Sequence, residues 1–414
     1  MKVCVIGAGP AGIMAAIEAR KKNYDVEIIE KNNCIGKKLN ITGKGRCNLT
    51  HSLDNQYFLN NVITNSKFLM SSINSFDNTN LIEFVNDLGV KTKIERGNRV
   101  FLASDEAKEL TKAFEKLLKK MNVTIRYNSI VEGLELQNGK VIGLKLLDGS
   151  KIFAEKIVIA TGGKSYPGTG STGDGYELAK KVGHSVVEPK AALVPFIVEE
   201  KELCKNLEGL TLKNVNLTVK AERKVIDTRF GELVFTDKGI SGPIVLSSSS
   251  IVNKLNNIDE LFNDNKIIAS IDLKPALDFN TLYKRLTRDF TKYINKDAKN
   301  ALVDLLPKSI ITPILTQANI VEDKKVNAIT KQEKEEIVKT IKNFDLTVKA
   351  LAPISVGIVT SGGINVKELN PKTMESKLVS GLYFAGEVID VDAFTGGFNL
   401  QIAFSTGHSA GSNM

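Results

Sequence analysis

The chain has 414 residues, 42% of them hydrophobic and 25% charged, with a formal net charge of +9. That length and composition suit a globular protein of two or three domains with sizeable cores. They exclude a membrane span, because no apolar run nears about 18 residues, and a basic nucleic-acid tail, because the lysines are scattered and not blocked.

Lys2-Val3-Cys4-Val5-Ile6 is a β-type run that enters Gly7-Ala8-Gly9-Pro10-Ala11-Gly12 without a gap. An alanine-rich helical segment, Ile13 to Lys22, follows, and a second β-type run over 25–29 ends on Glu30. Strand, G-x-G-x-x-G, helix, strand and acid together form the context that the dinucleotide fingerprint requires. Gly7 permits the tight turn, Gly9 lets backbone approach a pyrophosphate, and Gly12 lets helix pack on strand. The helix N-terminus then presents free N–H groups and about half a positive charge. A carboxylate at Glu30 accepts ribose hydroxyls and repels a 2′-phosphate, so FAD or NAD fits better than NADP.

The stretch from Lys31 to Asn48 is too rich in glycine and lysine for a regular element and reads as a loop along the cofactor. Gly43 and Gly45 allow close backbone approach, and Lys38, Lys44 and Arg46 are candidates to meet phosphates. Helices are expected over 81–88 and 104–119. A β-meander is expected over 123–127, 130–136, 141–147 and 151–159, punctuated by Asn138-Gly139 and Asp148-Gly149. A glycine fingerprint followed by a meander favours an FAD domain over an NAD dehydrogenase. The last meander strand runs into Thr161-Gly162-Gly163, a second close backbone approach. Gly168 to Gly173 repeats G-x-G-x-x-G, but four residues separate it from the strand. It reads as a loop closing over the same cofactor, with Asp174 starting a helix to Lys181.

From about Ala191 short alternating strands over 194–198, 215–221, 224–228 and 233–236 suggest an antiparallel barrel or sandwich. A helix near Pro243, a strand over 267–273, helices starting near Asn280, Ala298, Lys308 and Lys331, and a strand over 344–351 follow. The end of the chain returns to glycine loops: Ser361-Gly362-Gly363, Ala385-Gly386-Glu387 and Thr395-Gly396-Gly397, the last leading into a helix through Ala410. Glu387 can bind ribityl hydroxyls, and the helix N-terminus near Asn399 can face the flavin edge that gains charge on reduction.

Cys4, Cys34, Cys47 and Cys204 give no zinc spacing and no C-x-x-C pair, so reduced thiols and no metal are expected. The chain start is a strand and glycine turn, unlike a signal peptide, which points to the cytoplasm. No general acid or base stands out. His51, His184 and His408 read as structural and Cys47 as packed, while Tyr166 and Asp392 sit in cofactor loops without an assigned role.

With these motifs placed, the chain resembles the YhiN/BaiN-like bacterial flavoproteins, also labelled aminoacetone oxidase family FAD-binding enzymes. The resemblance rests on 7–12, G-K-K-L-N-I-T-G-K-G-R-C-N at 36–48, T-G-G-K-S-Y-P-G-T-G-S-T-G-D-G-Y at 161–176, G-E-L-V-F-T-D-K-G-I-S-G-P at 231–243, T-M-E-S-K at 373–377, and 381–401. Asn40 and Lys44 depart from serine-like and glycine residues common there. The resemblance implies an α/β fold: a split Rossmann-like FAD-binding domain of the glutathione-reductase type with a β-meander (1–190 and 352–414), an inserted antiparallel β-barrel domain (191–274 and 344–351), and a small helical domain (275–343). It places FAD contacts on Gly9, Gly12, Glu30, Lys31, Arg46, Val131, Gly162, Gly386, Glu387, Gly397, Asn399 and Leu400. The same loops add Gly7, Pro10, Ala11, Lys38, Gly45, Cys47, Asn48, Thr161, Gly163 and Gly396 as candidates. It further implies an FAD-dependent oxidoreductase, with NAD(P)H as donor, that reduces an activated C=C bond in a small molecule. The alternatives are an O2-dependent amine oxidase and an RNA-modifying flavoprotein. Neither a nucleic acid nor a membrane is the expected partner.

Overall fold

The computed structural model describes residues 1–414, which divide into two compact units, Met1–Ala192 with Ile354–Met414, and Leu193–Pro353. The first is built on five parallel strands, β1 (Lys2–Ile6), β2 (Asp25–Ile29), β3 (Thr124–Arg126), β4 (Lys156–Ile159) and β5 (Leu382–Phe384), in the order β5-β4-β1-β2-β3. β1 carries Val3 to Ile6 buried in succession, the unbroken apolar run of a strand covered on both faces.

Helix α1 (Pro10–Lys21) joins β1 to β2, and α2 (Phe398–Ser412) packs on it. Small residues make that contact close. A Cβ on Gly407 would lie 2.3 Å from the Ala11 carbonyl oxygen, and one on Gly411 2.4 Å from that of Ala15. Ala15, Ala16 and Ala19 are fully buried in the same helix. The alanine-rich composition of α1 is thus a packing requirement as well as a helix propensity.

The expected hairpin is present: Val131–Gln137 pairs with Lys140–Leu146 through Asn138 and Gly139, both with positive φ, and Lys151–Phe153 completes a three-stranded sheet. Two runs assigned to the meander belong partly elsewhere. Residues 124–126 pair in parallel with β2 at the edge of the main sheet, and the run over 151–159 breaks at Ala154 and Glu155 before β4. The stretch read as loop before Asn48 ends in a strand, Asn48–His51, paired with Arg99–Leu102 and through it with Thr92–Glu95. Val186–Ala192 pairs antiparallel with Val359–Ile364.

In the second unit six strands close an antiparallel barrel. The expected short strands over 215–236 form one long hairpin, Thr211–Ala221 with Lys224–Thr236. Helices Phe279–Lys292, Lys308–Gln317 and Lys331–Lys342 share a single apolar cluster with the barrel, from Phe196 to Val348. No helix is long and apolar enough to cross a membrane.

Candidate functional site

Parallel strands all present their carboxyl ends on one edge, so the loops after β1, β2, β4 and β5 gather there. Each candidate glycine reveals its purpose by what a side chain would meet. At Gly7, where φ is +103°, a Cβ would lie 2.6 Å from the Ala160 carbonyl oxygen. At Gly12 it would lie 1.9 Å from that of Gly7. At Gly9 it would meet nothing within 4 Å. Two glycines are therefore needed by the fold, and the middle one faces open space. Pro10 opens α1, which has no side-chain cap and no acid in its first turn, so no side chain of the helix itself occupies its positive end.

Glu30 is buried and held in place. Its Oε2 accepts the Ala8 N–H at 2.7 Å, and Oε1 accepts from the Asn32 backbone at 2.8 Å and side chain at 2.7 Å. Three of about four acceptor positions are used, leaving one for a hydroxyl. Lys31 is paired with Asp174 at 2.6 Å and with Thr172, while Asn32 donates to the Thr169 carbonyl at 3.1 Å. The second glycine-rich segment is thereby closed over the residues after Glu30, and its Pro167–Thr169 turn follows no strand directly. Val131 is buried where the meander starts, paired with Leu146.

A second group joins the later loops. Gly163 has space for hydrogen only, since a Cβ would lie 2.3 Å from Thr360 Oγ1 and 2.8 Å from Glu387 Oε1. Glu387 Oε1 accepts the Thr360 N–H at 2.8 Å, and its Oε2 accepts from Lys38 Nζ at 2.9 Å. Gly386, with φ +79°, sits where a Cβ would touch that of Ala11 at 2.8 Å, so the loop after β5 meets the first turn of α1. Gly162 also has positive φ.

The third group surrounds the start of α2. Gly396 and Gly397 both have positive φ, and a Cβ on Gly397 would lie 2.5 Å from the Thr50 carbonyl oxygen. α2 has no side-chain cap and no first-turn acid. Asn399 uses its side chain internally, accepting the Ala393 N–H at 2.9 Å and donating to the Ala393 carbonyl at 2.8 Å. What it and Leu400 can offer a ligand is the first-turn backbone. Cys47 is fully buried and its thiol is pushed up to about 12 by burial, which leaves it protonated and unreactive. Asn48 Oδ1 and Thr161 Oγ1 are buried acceptors with no partner in the protein. Asn48 opens the strand Asn48–His51 and Thr161 lies just after β4, and such atoms call for a polar ligand or water.

Arg46 has partners of its own. Its guanidinium lies 4.5 Å above the Phe101 ring and is ion-paired with Glu95 and Asp105. Gly45 has positive φ and an open approach, with only the Asn40 carbonyl oxygen within 4 Å of a Cβ there. Sequence reasoning did not single out Ser165, which bridges Lys38 at 2.6 Å and Glu387 at 3.1 Å, or Thr360, although both lie in flagged glycine-rich segments.

The histidines are bonded or packed. His184 links Glu368 at 2.9 Å to Ser376 at 2.8 Å, which explains part of the T-M-E-S-K segment as a hairpin brace. His51 accepts the Leu53 N–H on Nδ1 and lies among Tyr57, Phe58 and Phe398, its pKa lowered to about 4 by burial. Asp392 is fully buried and accepts from Ser361 Oγ at 3.0 Å.

A family profile described as "HI0933-like protein Rossmann domain" matches residues 1–413. The 3-dehydro-bile acid delta(4,6)-reductase of Clostridium scindens is 30% identical over 414 residues, covering 99% of this chain and 98% of that protein. The ribosomal RNA dihydrouridine synthase of Escherichia coli is 31% identical over 404 residues, covering 97% and 95%. Among solved structures, 3-ketosteroid delta1-dehydrogenase from Sterolibacterium denitrificans aligns with a TM-score of 0.53 at 12% identity over 99% of this chain and 98% of that one. The last is a likeness of fold.

Proposed function

The chain belongs to the HI0933-like Rossmann family of FAD-dependent oxidoreductases, and from that premise we propose that it reduces a C=C bond conjugated to a carbonyl in a small organic substrate, with NAD(P)H as electron donor. FAD, when bound, supplies the hydride for such a reduction. The observation that carries the reading is chemical agreement between two full-length relatives of unlike substrate. A delta(4,6)-reductase of a 3-keto bile acid and a dihydrouridine synthase both saturate an alkene that is polarised by a carbonyl. Such an alkene takes up hydride readily because the developing negative charge reaches oxygen.

In this reading the chain's own residues bind and orient. Gly9 and the free end of α1 receive the pyrophosphate, and Glu30 receives the adenosine ribose. The first-turn N–H groups at Asn399 and Leu400 face the flavin edge that gains negative charge, an interaction of about 0.3–1 kcal/mol. Cys47, held as a thiol, takes no covalent part. A second reading keeps the chemistry and changes the substrate to uridine in RNA. It is favoured by two rRNA dihydrouridine synthases among the relatives and by the +9 charge.

The test is a substrate comparison. FAD-loaded protein and NAD(P)H are incubated anaerobically with a 3-keto-4-ene steroid, a simple cyclic enone, and unmodified rRNA, and products are identified by mass spectrometry. Saturation of an enone supports the first reading, and dihydrouridine alone supports the second. Oxidation of an amine with no alkene reduced would overturn both.

A further inference from the structure

Four segments of the first unit meet at one charged pair. Lys38 Nζ donates to Glu387 Oε2 at 2.9 Å and to Ser165 Oγ at 2.6 Å. Glu387 Oε1 accepts from the Thr360 backbone at 2.8 Å and from Ser165 Oγ at 3.1 Å. Thr360 Oγ1 in turn accepts the Lys164 N–H at 2.8 Å, and Thr360 and Ser165 are fully buried. The side chains of Lys38 and Glu387 are only 24% and 21% exposed. Lys38 is the cation ion-paired with this carboxylate, and its other donors there are neutral.

We propose that Lys38 is a positioning residue that sets the charge of the flavin site through Glu387. The proposal rests on reading these loops as the FAD site. A half-buried carboxylate without a cation keeps its hydrogen bonds but loses the neutralising charge. It then repels a cofactor that already carries two phosphate charges and gains electron density on reduction. Lys38 offsets that repulsion, so its charge supports both FAD affinity and the reduced state.

The test measures FAD affinity by fluorescence and the two-electron midpoint by dye equilibration. Lys38→Met should weaken FAD binding about tenfold and shift the reduction equilibrium about tenfold toward the oxidised state, which is about 30 mV. Lys38→Arg should stay near wild type. Glu387→Gln should shift the midpoint the opposite way, and Lys38→Met with Glu387→Gln should return it toward wild type. A structural role alone would lower thermal stability without that sign reversal and recovery.

An unchanged midpoint in Lys38→Met, or a double variant no closer to wild type than the single, overturns the proposal. If Lys38→Met does not fold, the opposite shift in Glu387→Gln and the near-wild-type double variant still decide it. Gly9→Val serves as the control for the site itself. If it and all these variants leave FAD affinity unchanged, the loop assignment fails. If it weakens FAD while the midpoints stay put, only the role of Lys38 fails.

Discussion

His51 offers a measurement on a single buried group. The residue is 2% exposed, and its ring lies among three aromatic rings, 4.8 Å from Phe398 at the start of α2. Burial lowers its pKa to about 4 against the opposing pull of Asp54. The unfolded chain binds this proton near pH 6.5 and the folded chain only near 4, so the unfolded state takes up more protons between those values. The stabilisation is therefore complete above pH 6.5 and is lost as pH falls toward 4. A shift of about 2.5 units is worth about 3.4 kcal/mol in full, of which about 2.5 kcal/mol is lost on going from pH 7.5 to 4.5. The chain has three histidines, so nitrogen-labelled histidine spectra are simple to assign, with His51→Gln removing one signal. We expect the His51 ring to stay neutral at pH 5 in the folded protein. Urea unfolding should show that His51→Gln flattens the acid decline by about 2.5 kcal/mol over the same range. A His51 midpoint between pH 6 and 7, or parallel stability curves, would refute the burial argument.

Four further outcomes follow from packing and exposure. Gly12→Ala should destabilise the fold by about 3 kcal/mol, the upper end of overpacking, because its Cβ meets backbone 1.9 Å away. Gly9→Val, with nothing within 4 Å, should melt like wild type while losing about 1.4 kcal/mol of FAD affinity, a tenfold rise in Kd. Calorimetry and flavin fluorescence separate the two effects. Gly407→Ala should lower stability by about 1–3 kcal/mol, since the α1 backbone lies 2.3 Å from the new Cβ. Among the four cysteines, only Cys34 is partly exposed, and the Cys4, Cys47 and Cys204 thiols are pushed up to about 12 by burial. One thiol per chain should therefore react with a maleimide dye in native protein at neutral pH, and all four in urea.

The N-terminal βαβ unit was legible because its signals are local: an apolar run, a glycine turn and an alanine-rich helix. The Asn138-Gly139 hairpin was legible for the same reason. What sequence could not supply was pairing over distance. Residues 124–126 read as a strand, but nothing nearby says that they join β2 and not the meander. Ala154 and Glu155 lack turn chemistry, so the crossing from one sheet to another left no mark. Asn48–His51 is a strand of mostly polar residues, invisible to apolar alternation. Glu95 and Asp105, 49 and 59 residues from Arg46, hold its guanidinium, and the glycine-rich surroundings of Arg46 do not announce those partners. The Lys38–Glu387 pair spans 349 residues and could emerge only from the fold.

In the proposed reaction this FAD-dependent oxidoreductase passes electrons from a nicotinamide to a conjugated alkene. The most direct measurement is an anaerobic two-step mixing of the yellow protein. NADH or NADPH is added first, then an enone, while flavin absorbance and product are followed together. One nicotinamide should bleach the flavin, and colour should recover in step with saturation of the alkene. Indifference to both nicotinamides, with bleaching by an amine and recovery only in air, would contradict it.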